Sequence, residues 1–203
     1  EVLPILAKIE ALASYDDLNQ QLDQFILDGI TLPFQFDVDS DMKNAKMNTL
    51  LVYPPATILP DKTYYTDNPQ AEEMLQVYFD MAVKLLVAYG KGQATAESLV
   101  EQAITFDKLI APHVRSAEES ADYSKNYNPQ TLDAFAAQSS HIDFKTTLTA
   151  LLSATPESLI VTEPAYFEAF DHLLSLSHFD LLKGWMIVNQ SLTYTAYLSE
   201  EIR

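Results

Sequence analysis

The sequence predicts a mainly α-helical fold: one multi-helix lobe of about seven or eight helices, with a single small β hairpin near residues 34–53. Three observations predict it. Apolar residues recur at helical spacing in several long runs, most of them opened by a residue type that caps helices. Only four of the 203 residues are glycine, so the chain carries few helix breakers. Clear alternation of apolar and polar residues is confined to one stretch. The length fits one domain, residues 1–203, and a 48% hydrophobic composition suffices for a sizeable core.

Leu3 to Ala13 reads as a first helix, with Pro4 tolerated in its opening turn. Ser14 then caps a second helix whose buried face holds Leu18, Leu22, Phe25 and Ile26. Asp16 and Asp17 favour its first turn through the helix dipole, and Gly29 follows its end. Phe34, Phe36 and Val38 alternate with Gln35, Asp37 and Asp39, a half-buried strand that Asn48 to Tyr53 would partner. Pro54, Pro55 and Pro60 make the next stretch irregular.

Asn68-Pro69 opens a helix with a stripe of Met74, Tyr78, Ala82, Leu85 and Tyr89, closed by Gly90. Thr95 starts another, with Leu99, Ala103, Phe106 and Ile110 on one face and Pro112 behind it. His113 to Tyr127 is polar and mostly loop. Asn128-Pro129 repeats the cap-then-proline signal for a short helix to Ala137, and Phe144 to Leu152 forms the next. Leu159 to Val161 is a short extended segment, and Pro164 opens a helix to about Ser175. Ser177 with Asp180 resembles a capping box for a long helix through Trp185, Leu192 and Tyr197. The chain begins at Glu1 without a methionine and stops at Arg203 inside that helix, which points to an excised segment.

Twelve basic against 29 acidic residues give a net charge of -17, so nucleic-acid backbones and anionic membranes are expected to be repelled. Without cysteine there is no disulfide framework, thiolate nucleophile or thiolate metal site, which suits a cytoplasmic location. No apolar stretch reaches the length of a membrane span, and no signal peptide precedes the first helix.

Chemistry-bearing constellations are absent or only apparent. His113, His141, His172 and His178 include no His-Glu-x-x-His pair, the spacing that sets two imidazoles one helical turn apart on zinc. Asp37, Asp39 and Asp41 imitate the start of an EF-hand loop. The sixth position is Met42 where the loop turns on Gly, and the twelfth is Asn48 where it needs a bidentate Glu, so this reads as a solvated acidic strand edge. Glu118 and Asp122 have a metal-ligand spacing but no histidine pair to complete. Glycines 29, 90, 92 and 184 make no phosphate loop. Residue chemistry therefore selects no catalytic residue, no metal ligand and no cofactor in this chain, and leaves substrate contacts unassigned.

Five local patterns occur in an order that resembles a known family. Asp41-Met42-Lys43-Asn44 is similar to its D-x-K-N stretch, and Leu59-Pro60-Asp61-Lys62-Thr63-Tyr64-Tyr65 to its LP-x-x-x-YY. Tyr127-Asn128-Pro129-Gln130-Thr131-Leu132 resembles YN-x-x-T-L, and Pro164-Ala165-Tyr166-Phe167 resembles P-x-Y-L/F behind Ile160-Val161. Leu181 to Trp185 resembles the start of a long helix with a near-central Trp. The family is that of neprilysin and endothelin-converting enzyme, including the bacterial endopeptidase O type.

The resemblance implies a larger, two-lobed zinc metalloendopeptidase. Its thermolysin-like lobe carries the zinc helix, a third Glu ligand and an Asn-Ala-aromatic substrate strand. A mainly helical lobe covers the cleft and admits only short peptides. All those motifs lie downstream of the part matched here; Asn44-Ala45 is followed by Lys46 and is not the substrate strand. The expected partners are the missing catalytic lobe and, in the parent, oligopeptides. The expected role is a lid around a reaction whose zinc belongs to the full-length parent, with this chain inactive by itself. A lobe without its neighbour should also expose an apolar patch. The alternative is a free-standing acidic helical interaction module without enzymatic activity.

Overall fold

A computed structural model describes residues 2–66 and 68–195. Among them are ten α-helical segments and one four-stranded sheet. The first helix, α1 (Val2–Glu10), ends before Ala13, because the Ala13 amide turns to the Asp17 carboxylate (2.8 Å) while the Ser14 hydroxyl accepts from the Asp17 amide (3.2 Å). That reciprocal cap starts α2 (Tyr15–Leu27), and Gly29 leaves it at φ 68°.

The hairpin is β1 (Gln35–Asp41) and β2 (Asn44–Tyr53), antiparallel, with Phe36 opposite Val52 and Val38 opposite Leu50. Its base is buried, but Val38 stands 54% exposed where half-burial was expected. The expected hairpin is also not the whole sheet: β2 pairs in parallel with β4 (Ser158–Val161), and β4 pairs antiparallel with β3 (Pro129–Thr131). Strand order is therefore β1-β2-β4-β3.

Helix α3 (Pro69–Ala88) is capped by the Asn68 carboxamide, as its Asn-Pro start predicts. Its fully buried residues are Ala82, Val83, Leu85 and Leu86, whereas Met74, Tyr78 and Tyr89 are only half-buried, so the helix meets the core through its second half. The next helix, α4 (Gln93–Ile110), begins two residues before Thr95, with Gly92 as an N-cap that supplies no side chain. Short α5 (Ala117–Ser120) lies in the polar stretch.

Asn128-Pro129 does not open a helix. Pro129 starts β3, opposite Ile160, and the helix begins a turn later at α6 (Leu132–Ala136), capped by Thr131 Oγ1 on the Ala134 amide (3.1 Å). A cap-proline pair fixes only φ and an extended predecessor, both equally at home at the start of a strand. Helix α7 (Phe144–Leu152) has the expected bounds. The helix expected from Pro164 to Ser175 is broken into α8 (Pro164–Glu168) and α9 (Phe170–Leu173).

The last described helix is α10 (Phe179–Leu192). Ser177 is not its cap; it sits in a 3-10 turn, Leu176–His178, and no side-chain cap bond is made. Tyr197 lies outside the described residues. Helix α10 runs at the centre, against α4, α3 and α1, with Leu182 and every residue from Gly184 to Val188 buried. Lys183 Nζ donates to the carbonyls of Glu10 (2.9 Å) and Leu12 (2.6 Å), satisfying the end of α1. A second part of the core is aromatic: Phe34, Phe135, Phe144, Phe167 and Phe170 pack edge-on or tilted, with neighbouring centroids 4.7–6.0 Å apart. No helix among the described residues is long and apolar enough to cross a membrane.

Candidate functional site

Side-chain bonds tie several of the scattered sequence motifs to distant segments of the chain. At the hairpin tip the turn Met42-Lys43 is closed by the Asp41 carboxylate, which accepts from the amides of Lys43 (2.7 Å) and Asn44 (3.2 Å). The Tyr127 hydroxyl donates to the same carboxylate at 3.1 Å, and Lys43 Nζ lies 4.7 Å above the Tyr127 ring. Two motifs 86 positions apart thus form one clasp. Asn128 continues it: its Nδ2 donates to the carbonyls of Lys125 (2.6 Å) and Val161 (3.0 Å), and its carbonyl accepts from the Val161 amide (2.9 Å). Tyr166, fully buried, donates from its hydroxyl to the Pro33 carbonyl and ties α8 to the root of the hairpin.

The LP-x-x-x-YY segment is held by a second clasp. Tyr65 donates to Asp107 Oδ2 and accepts from the Leu59 amide (3.0 Å), while Asp107 Oδ1 accepts from the Ile58 amide (2.9 Å). Asp107 is fully buried, and burial pushes its pKa up to about 6 despite the bonds from Tyr65 and Ile58. Burial, joined by the bond to Asp107 and its charge, drives the Tyr65 hydroxyl well above its ordinary value. Each Asp107 oxygen accepts one of these bonds, which makes the group a clamp on the proline-rich loop. Tyr64 and Tyr65 both line a cleft of about 780 Å³, together with Leu59, Leu75, Lys108 and Pro112.

An ionic seam joins the two clasps. Asp61 accepts from the amides of Ala117 (2.6 Å) and Thr63 (2.8 Å), which hold its carboxyl below the usual range. Lys62 pairs with Glu119 at 2.8 Å. Arg115 donates through its amide to Glu163 (2.6 Å) and through its guanidinium to Asn126 (2.7 Å) and the Lys125 carbonyl (3.0 Å). Partial burial raises the Glu163 carboxyl against that amide bond.

Sequence reasoning passed over Asp107 and Arg115. Asp107 had a legible signal, a carboxylate four residues after Ala103 and three before Ile110 on an apolar stripe. Arg115 had none. Trp185 is 2% exposed and packs at a tilt against Phe106.

The constellations that only resembled chemistry resolve structurally. Asp37 and Asp39 lie on β1, the edge strand, and bond the amides of Val38 (2.8 Å) and Ser40 (2.7 Å). Asp122 caps a 3-10 turn through Ser124, and Glu118 sits exposed in α5. His172 and His178 come together, ring centroids 5.4 Å apart, but His178 Nδ1 is taken by the carbonyls of His172 and Leu173 (both 3.1 Å). Among the described residues no group of three or more His, Cys, Asp or Glu is placed to hold a metal ion.

The structure is a largely helical body whose sequence motifs fasten loops to helices and to the sheet. All of residues 1–203 match Peptidase family M13, and the chain belongs to that family, within its N-terminal region. It is 35% identical over 198 residues to the neutral endopeptidase of Lactobacillus helveticus, covering 98% of this chain and 30% of that protein. It is 32% identical over 200 residues to the neutral endopeptidase of Lactococcus lactis subsp. cremoris, with 98% and 32% covered. The crystal structure of PEPO from Lactobacillus rhamnosis HN001 (DR20) superposes with a TM-score of 0.90 at 28% identity, over 100% of this chain and 33% of that one. The chain spans about a third of the length of the relatives it matches.

Proposed function

We propose that this chain is the non-catalytic helical portion of a zinc metalloendopeptidase, a lid that admits oligopeptides to a cleft formed with the rest of the polypeptide. One observation carries the reading: a match over 98% of this chain reaches only 30% of a neutral endopeptidase, and the matched stretch contains no His-Glu-x-x-His. The lobe contributes shape. Its side chains fix loops through the Asp41–Tyr127 and Asp107–Tyr65 clasps, and rigid walls exclude bulky substrates and bulk water from a peptidase cleft. Among the described residues no group of three or more His, Cys, Asp or Glu is placed to hold a metal ion, and no chemical step is assigned to them.

The test reads the encoding gene past Arg203 and assays both products. The longer polypeptide is expected to carry His-Glu-x-x-His and to cleave oligopeptides in a chelator-sensitive way, while residues 1–203 alone cleave none. Chelator-sensitive cleavage by the pure 203-residue chain, or a stop codon directly after Arg203, would overturn the proposal, and the stop codon would favour an acidic interaction module.

A further inference from the structure

Beyond residues 36 and 50 the side chains of the hairpin are mostly exposed, up to the tip where Asp41 and Lys43 meet Tyr127. Cross-strand partners share a face, so Phe36, Val38, Leu50 and Val52 form one apolar strip. Val52 and Leu50 are buried, Phe36 is half-buried, and Val38 is 54% exposed, so the strip runs from the core into the open. Met42 in the turn and Met47 on β2 add two more exposed apolar side chains, at 57% and 59%. A two-stranded ribbon with both faces open gains little stability by itself. Yet this one is fastened at its tip by the Asp41–Tyr127 bonds and the Lys43–Tyr127 stack, which hold it ready to meet a surface.

We infer that the distal hairpin, through Val38, Met42 and Met47, is the plug by which this lobe docks on the part of the polypeptide that follows residue 203. The inference rests on the peptidase reading above, under which about two thirds of the relatives' length lies outside the matched stretch. It adds which surface makes the contact. Docking is by side chains and not by strand addition, because two amides of the edge strand are already bonded to the carboxylates of Asp37 and Asp39. Those carboxylates call for a receiving surface that is apolar at its centre and basic at its rim. Met42 and Met47 suit such a contact, since an unbranched thioether adapts to an irregular recess.

The test places a photo-cross-linking amino acid at Met42 or at Met47 in the intact polypeptide and maps the adducts by mass spectrometry. The same label at Phe36, whose ring packs beside Phe34 and Phe144, reports adducts inside the lobe and proves the chemistry. Adducts from both tip positions to residues beyond 203 are expected. Adducts confined to residues 1–203, adducts to a second copy, or none at either tip position overturn the inference. Chelator-sensitive activity of the same intact polypeptide separates the two failures: activity without tip cross-links removes the docking site alone, and loss of both removes the peptidase reading as well.

Discussion

Asp107 offers a test of how burial and bonding compete inside this lobe. Its carboxyl titrates at about 6 in the folded chain against an ordinary 3.8. At 1.36 kcal/mol per unit, the folded state is penalised by about 3 kcal/mol once the group is ionised. The sign follows from proton counting. Between pH 4 and pH 6 the folded chain holds a proton that the unfolded chain has lost, so stability falls as pH rises through that window and is level, in this respect, above it. Asp107→Asn keeps an oxygen for the Ile58 amide and cannot ionise. Urea unfolding of both proteins at half-unit steps from pH 3.5 to 7.5 isolates the group, because the remaining carboxylates cancel in the difference. The wild-type advantage over the variant should shrink by about 3 kcal/mol across the window. Tyr65→Phe removes a bond that favours the charged form and should move the upper end of the window to higher pH. A difference that stays flat from pH 3.5 to 7.5 refutes the reasoning, because it would mean that water or a relaxed loop solvates Asp107.

Three further outcomes follow from packing and backbone geometry. A Cβ at Gly184 would lie 2.6 Å from Gln102 Cβ and 3.2 Å from the Leu99 carbonyl, so Gly184→Ala should prise α10 from α4 and cost about 1–3 kcal/mol, read as a lower urea midpoint. Trp185→Ala should cost about 3–5 kcal/mol in the same assay, since the indole is 2% exposed against Phe106. Ser153 ends α7 in the left-handed region at φ 55°, so Ser153→Gly should raise stability by about 0.5–1 kcal/mol, seen as a higher thermal midpoint.

Much of the helical framework was written in residues that lie within a turn of one another. Ser14 ahead of Asp16 and Asp17, and Asn68 ahead of Pro69, mark helix starts locally, so α2 and α3 could be placed from the sequence. The same kind of signal misled at Asn128-Pro129 and at Ser177. Whether an extended cap residue leads into a helix or a strand depends on what lies beside it, and here β4 was waiting to pair with β3. Family membership was also legible, because short motifs in a fixed order need no coordinates. Why those motifs exist was not. Asp41 meets Tyr127 across 86 positions, Tyr65 meets Asp107 across 42 and Tyr166 reaches Pro33 across 133. Side-chain bonds of that span arise only when the core closes. Local periodicity records which face of an element is apolar, and it carries no information about which distant element will cover that face.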